Sequence, residues 1–210
     1  MRDMFTQEYW DERYAGHEHV WSGRPNPHLV AVASTLTPGT ALDVGCGEGA
    51  DAIWLAQQGW TVTGADVSPV GLERAAGRAT EAGTDVAARI AWRHADLFAP
   101  GTEPSGVHDL VSSQYLHLGP EVRDLGLARL TAAVGPGGSL LVVSHDPSDL
   151  AIPGLRPNVP ELFYTATELA AGLDADEWEI LIEAAAQRTA TGHDGEPVTV
   201  HDAVLHARRR

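Results

Sequence analysis

The sequence predicts an α/β protein: an open, mostly parallel sheet of seven strands, helices on both faces, and a last strand that runs antiparallel. Three observations predict it. Short apolar runs alternate with helix-patterned segments from residue 40 to residue 144, the pattern of successive βαβ units. The first apolar run stops on three alternating glycines, Gly45, Gly47 and Gly49. The last third holds two long strand-like segments, Trp178 to Arg188 and Val198 to Ala207, joined by a turn at His193-Asp194-Gly195.

Taken in order, Thr6 to Tyr14 reads as a short helix that sets Trp10 and Tyr14 four residues apart on one face. A polar loop from Ala15 to Pro25 carries His17, His19 and Trp21. Asn26-Pro27 is a cap followed by proline at the first turn, and it starts a helix that keeps Leu29, Val32, Ala33 and Leu36 on one side until Pro38-Gly39 stops it. Ala41 to Val44 is the first strand, Ala50 to Ala56 the helix after the glycines, and Thr61 to Ala65 the second strand. Ser68-Pro69 opens a helix through Ala82, and Ile90 to His94 is the third strand. Asp109 to Gln114 is the fourth, followed by a helix from Pro120 through Val134. Gly135-Pro136-Gly137-Gly138 then turns the chain into the fifth strand, Ser139 to Ser144. Thr165-x-x-Glu168 is a capping box opening a helix to Leu173, ahead of the hairpin. No linker or repeat divides the chain, so one domain is expected: lid helices over residues 1–38 and a core over residues 39–210.

The glycine run and Asp66 together describe a nucleoside pocket. Glycine permits positive φ and lets a ligand lie on the backbone. Asp66 ends the second strand nineteen residues after Gly47, the distance at which a carboxylate accepts ribose hydroxyls. Gly45-x-Gly47-x-x-Ala50 also satisfies the loose dinucleotide pattern of the Rossmann fold, which keeps an NAD-linked oxidoreductase, or a non-catalytic nucleoside-binding module, as a rival. Asp43 argues against a pyrophosphate, which seeks amide donors and a helix N-terminus rather than a carboxylate. It suits a ligand bearing an ammonium and a sulfonium.

Composition narrows the partners. The net charge of −15 disfavours nucleic acid and anionic membrane surfaces, since both require a basic face. Cys46 is the single cysteine, which excludes an intrachain disulfide; within the glycine loop it reads as a small filler beside a ligand. The amino terminus lacks the apolar core of a signal peptide, and no segment is long and apolar enough to span a bilayer; a cytoplasmic protein is expected. His17-x-His19 has metal-like spacing without further ligands, so no metal is expected.

Asp43-x-Gly-x-Gly-x-Gly followed by Asp66 resembles the first motifs of the class I S-adenosylmethionine (SAM) methyltransferases. The resemblance implies a Rossmann-like seven-stranded sheet with a reversed last strand, SAM as methyl donor and S-adenosylhomocysteine (SAH) as product. It implies cofactor contacts from Asp43, Gly45, Cys46, Gly47, Gly49, Asp66 and Val67. It also implies that Asp96 accepts the adenine amino group while Leu97 flanks the ring, and that Gln114 closes the site at the fourth strand. Tyr14 and Trp21 are read as a lid over this pocket, where aromatic faces attract a sulfonium; ordinary core packing is the alternative. Within the class, Tyr9-Trp-Asp-Glu-Arg-Tyr14 with Trp21 and Asn26 resembles the thiopurine S-methyltransferase and tellurite-resistance groups, which implies a small, soft nucleophile as acceptor. A thiol, with reference pKa about 8.5, needs little more than a nearby cation, for which Arg188 and His193 are candidates. An oxygen or carbon acid needs a base, for which His117, or His145 with Asp146, stands at a strand's carboxyl end.

Overall fold

The protein's computed structural model describes residues 6–99, 101, 106–116, 118–152, 159–191 and 195–210. Its centre is a seven-stranded sheet, in the order β3-β2-β1-β4-β5-β7-β6. The strands are β1 (Thr40–Val44), β2 (Thr61–Asp66), β3 (Ile90–His94), β4 (His108–Gln114), β5 (Val134–His145), β6 (Trp178–Thr191) and β7 (Pro197–Arg209). The first five are parallel, and β7 inserts antiparallel between β5 and β6.

Helices cover both faces, which is why β1 is buried from Ala41 to Val44 instead of alternating. On one face α2 (Pro27–Ala33) and α3 (Ala50–Gln57) lay Leu29, Val32, Ala52 and Leu55 against Ala41, Val62, Leu110 and Leu141. On the other, α6 (Pro120–Ala132) and α7 (Ala166–Ala170) bring Leu127, Leu130 and Leu169 onto Leu42, Val44, Val111 and Leu140. Side chains of a strand alternate, so Asp43 points to the same face as Ala41, toward α3. The α4 helix (Pro69–Ala82), capped by the Ser68 hydroxyl, packs on β2 and β3. Among the described residues no helix is long and apolar enough to cross a membrane.

Many boundaries agree with the sequence pattern, including the capping box at Thr165 and Glu168. Others differ. The sixth helix stops at Ala132, not Val134, because Val134 is needed as a fully buried partner of His108 and opens β5. The glycine-proline stretch after it therefore lies within the strand, where the register against β4 shifts between His108 and Leu110. The helix after the capping box ends at Ala170 rather than Leu173, and a four-residue helix, α5 (Thr84–Ala87), follows Gly83 without a sequence signal strong enough to mark it. The hairpin strands run a few residues longer than their apolar patterns, because pairing continues as far as Thr191 and Pro197. The turn between them at residues 192–194 lies outside the described residues.

Strand order reverses between β1 and β4, and in open α/β sheets a ligand crevice forms at that switch, beyond the carboxyl ends of the strands. A cavity of about 820 Å³ opens there.

Candidate active site

The cavity floor is the turn after β1. Gly45 and Cys46 donate their amides to the Ala65 carbonyl, at 2.8 and 3.1 Å, which ties the turn to β2. At Gly47 (φ 51°) a Cβ would stand 2.7 Å from the Tyr14 hydroxyl; at Gly49 (φ 83°) it would meet Trp92 at 2.7 Å and Ala75 at 2.8 Å. Both positions combine a left-handed backbone with no room for a side chain, so only glycine fits. Burial, with the charges of Asp66 and Asp43 beside it, pushes the Cys46 thiol up and keeps it a neutral filler.

Asp66 receives the Gly47 amide on one carboxylate oxygen and the Ser68 amide on the other, each at 2.8 Å. Each oxygen keeps a lone pair for a further donor. Burial raises its pKa and the two amides counter part of that rise. Beside it, beyond β3, Val67, Asp96, Leu97 and Phe98 line the same end of the cavity. Asp96 also receives the Phe98 amide at 2.8 Å, so it holds its own turn as well as facing the cavity.

The middle of the cavity is unusually acidic. Asp43 is 2% exposed; Ser112 donates to one of its oxygens at 3.4 Å, and the other oxygen has no partner. Burial and the neighbouring Asp51 push Asp43 well above the usual carboxylate range. Asp51, in the first turn of α3, receives the Asn26 amide at 2.6 Å, yet burial still pushes it up to about 6. The Asn26 side-chain nitrogen, also buried, lacks an acceptor, and both amide atoms of Gln114 are buried without partners. Buried polar atoms are nearly always satisfied in folded proteins. Here an acceptor oxygen, a donor nitrogen and a primary amide stand unmatched around one cavity, which fits a ligand carrying both an ammonium and a carboxylate.

Aromatic residues of the amino-terminal segment border this region. The α1 helix (Gln7–Ala15) is capped by Thr6, and its Tyr14, 2% exposed, accepts the Trp21 indole N–H at 3.2 Å; Trp10 stacks on Tyr14 at 6.0 Å. Trp10, Tyr14 and Trp21 all line the cavity. Glu48, between two of the loop glycines, ties the segment around Val20 and Trp21 to the floor and to α4. One of its oxygens accepts the amides of Val20 and Trp21, and the other pairs with Arg74 at 3.1 Å and Arg78 at 3.2 Å. The Arg13 guanidinium stands 5.6 Å from the Trp21 ring centroid, so part of this aromatic surface already faces a cation of the chain itself.

The far end of the cavity is lined by Gln114, Tyr115, Leu116, Arg188 and Thr189, from β4 and β6. Tyr115 is the one non-glycine residue with positive φ among the described residues (54°), a strained backbone of the kind found at functional sites. Its hydroxyl donates to Asp202 at 2.9 Å and accepts from Arg188 at 3.2 Å. Asp202 is fully buried in β7 and also binds the Arg188 Nε at 2.5 Å and the His28 ring at 3.1 Å. These partners hold the Asp202 carboxyl far below its usual range despite burial, and burial pushes the Tyr115 phenol up, so it stays protonated.

The remaining sequence candidates fall elsewhere. His145 packs against Tyr115 (4.5 Å between ring centres, rings tilted by 32°) and does not line the cavity; its Nδ1 is 3.9 Å from Asp202. Asp146 caps the short 3₁₀ turn that follows it, accepting from the Ser148 amide and hydroxyl at 3.0 and 2.6 Å; it does not pair with His145. His117 and His193 lie outside the described residues. His17 bonds the Arg13 carbonyl and His19 meets Arg78, and no group of three potential metal ligands occurs among the described residues. Glu48, Asp51, Tyr115 and Asp202 are site or supporting residues that the motifs did not single out, and Asn26 was read as a helix cap and a motif residue without a place in the cavity. Among these, Asp202 carried a visible signal, an acid that precedes the apolar run Ala203-Val204-Leu205 of β7.

A seven-stranded sheet with a reversed β7 and a glycine floor between two acids is similar to the arrangement of the class I SAM-dependent methyltransferases. Residues 41–138, just under half of the chain, match the family model described as a methyltransferase domain. The chain is 28% identical over 151 residues to 2-heptyl-1-hydroxyquinolin-4(1H)-one methyltransferase of Mycobacteroides abscessus, covering 70% of this chain and 65% of that protein. It is 29% identical over 155 residues to a probable thiol methyltransferase 2 of Arabidopsis thaliana, covering 68% of this chain and 66% of that one. The chain thus spans just under two-thirds of the length of these curated relatives. A solved structure described as "Conversion of a Disulfide Bond into a Thioacetal Group during Echinomycin Biosynthesis" superposes with a TM-score of 0.72 at 28% identity, over 97% of this chain and 92% of the other.

Proposed function

We propose that the protein transfers the methyl group of SAM to a small molecule whose acceptor atom is a thiol or a comparably soft nucleophile. We place it beside the thiopurine S-methyltransferase group on its opening aromatic motif, with residues 1–38 as a lid over a core of residues 39–210. The observation that carries the reading is the order of chemistry along one cavity: acids for a nucleoside and an ammonium over β1 and β2, then an aromatic end with bound N–H donors over β4 and β6.

Asp66 accepts the ribose hydroxyls and Asp96 the adenine amino group, with Val67 and Leu97 along the ring. Asp43 and Asp51 hold the ammonium, Asn26 and Gln114 the carboxylate. When bound, SAM supplies a methyl group already attached to a good leaving group. The protein's work is then alignment and exclusion of water, worth about 7–11 kcal/mol for well-oriented partners. The acceptor thiol gives its proton to water; its sulfur pair forms the new bond to the methyl carbon, and the pair of the broken bond stays on the departing sulfur. Arg188 and the Tyr115 hydroxyl offer hydrogen bonds to the acceptor. Two of the relatives described above concern sulfur by name, a thiol methyltransferase and a disulfide-to-thioacetal conversion, which supports the same class.

The test is a panel of thiols and matched phenols with SAM, read as SAH formation and product mass. We expect the thiols to be methylated at least tenfold more efficiently. Turnover of phenols alone, abolished in His145→Ala, contradicts the proposal and indicates an oxygen acceptor with a histidine base.

A further inference from the structure

The acceptor end holds a cation whose charge is cancelled from behind. Arg188 lines the cavity, with about a quarter of its side chain accessible, whereas Asp202 is fully buried, does not line the cavity, and binds the guanidinium on Nε at 2.5 Å and on Nη2 at 3.4 Å. Tyr115 and His28 also bond to the same carboxylate, and His145 lies 3.9 Å from it, but among the described residues Arg188 is the one partner of Asp202 that carries a permanent charge. Of the other arginines on the cavity wall, Arg78 is paired with Glu48 and Arg24 stands exposed on the lid. Five acids share that wall: Asp43, Glu48, Asp51, Asp66 and Asp96. The remainder of the far end is uncharged, Gln114, Leu116 and Thr189, with Trp10 and Phe98 also on the wall. The field of the cavity therefore favours a cationic donor and opposes an anionic acceptor, while Arg188 still offers N–H groups that Asp202 does not use.

Building on the proposed methyl transfer, we infer that the acceptor is an uncharged, apolar or aromatic molecule apart from its nucleophilic atom, and that Asp202 enforces this selection by neutralising and orienting Arg188. Asp202 is a positioning residue: it touches neither donor nor acceptor and acts through the guanidinium. Removing its charge leaves Arg188 as an unbalanced cation at the acceptor end.

The experiment compares two acceptors with the same thiol, benzyl mercaptan and 4-(mercaptomethyl)benzoate, in wild type, Asp202→Asn and Asp202→Asn/Arg188→Gln. Wild type is expected to favour the neutral thiol at least tenfold in kcat/KM. Asp202→Asn narrows that ratio at least fivefold, through a lower KM for the carboxylated thiol, and the double variant restores it. A merely structural role lowers both acceptors together and leaves the ratio unmoved, which overturns the inference. Equal or better use of the carboxylated thiol by wild type also overturns it, and that arm does not depend on Asp202→Asn folding. If neither thiol turns over while SAH still binds, the thiol reading has failed, and selection is decided by calorimetry with the two methyl thioethers in the presence of SAH. Tighter binding of the neutral one to wild type supports the inference, and tighter binding of the carboxylate, or no binding of either, contradicts it.

Discussion

Asp66→Ala is expected to weaken SAH binding by at least about 100-fold. A hydrogen bond to a charged group contributes about 1.5–3 kcal/mol, and the ribose offers two donors to this carboxylate. Asp66 is suited to the task because the Gly47 and Ser68 amides already fix both of its oxygens, so no side-chain freedom is lost on binding. Those amides lose their acceptors in the variant, so its melting temperature is measured alongside. Asp66→Asn, which keeps one carbonyl oxygen, separates loss of structure from loss of the ribose contact. Isothermal calorimetry with SAH reads the result directly; an unchanged affinity removes Asp66 from the site.

The second large effect is on pH. Asp51 is pushed up to about 6 by burial, and Asp43 beside it is also raised, because two carboxylates out of water resist ionising together. A cation placed between them favours the ionised form of both. Protons therefore compete with the ammonium of the donor: SAH affinity holds above about pH 7 and falls roughly tenfold per unit below pH 6 if one proton must leave. In the free protein these acids act in the opposite sense. Both acids have folded-state pKa values above those of the unfolded chain, so their ionisation costs stability, for Asp51 in full above about pH 6. That cost disappears as the pH falls toward 4, so Asp51 adds stability to the ligand-free protein over this window, opposed by acids held low such as Asp202. The melting temperature of Asp51→Asn against wild type isolates its share. Affinity and melting temperature measured from pH 5 to pH 8 test both signs. Asp51→Asn is expected to flatten the binding curve; a flat curve in wild type shows that the acids do not meet the ammonium.

These residues also mark the limits of reading the chain. The sheet was legible because each strand is a short apolar run closed by a helix start, and the floor of the site because glycines and acids at fixed offsets have few other uses. Asp43 and Asp66 announced themselves in this way. Asp51 did not, since an acid in the first turn of a helix is ordinary dipole compensation. Glu48 reads as a surface acid, and only the packing of the lid against α4 reveals that four donors converge on it. The pairing of His145 with Asp146 was a sequence neighbourhood; in space the Asp146 side chain turns to Ser148, and the acid near His145 comes from β7, fifty-seven residues on. Tyr115 and Asp202 meet through strand order that brings β7 beside β5, information held in long-range pairing rather than in any local motif.

One measurement bears most directly on the whole account: titration of the protein with SAM, SAH and NAD in the same calorimeter at pH 7.5. Saturable binding of both adenosyl compounds, one per chain, with no heat from NAD, is the expected outcome. Saturable binding of NAD, or no binding of either adenosyl compound at any soluble concentration, contradicts it.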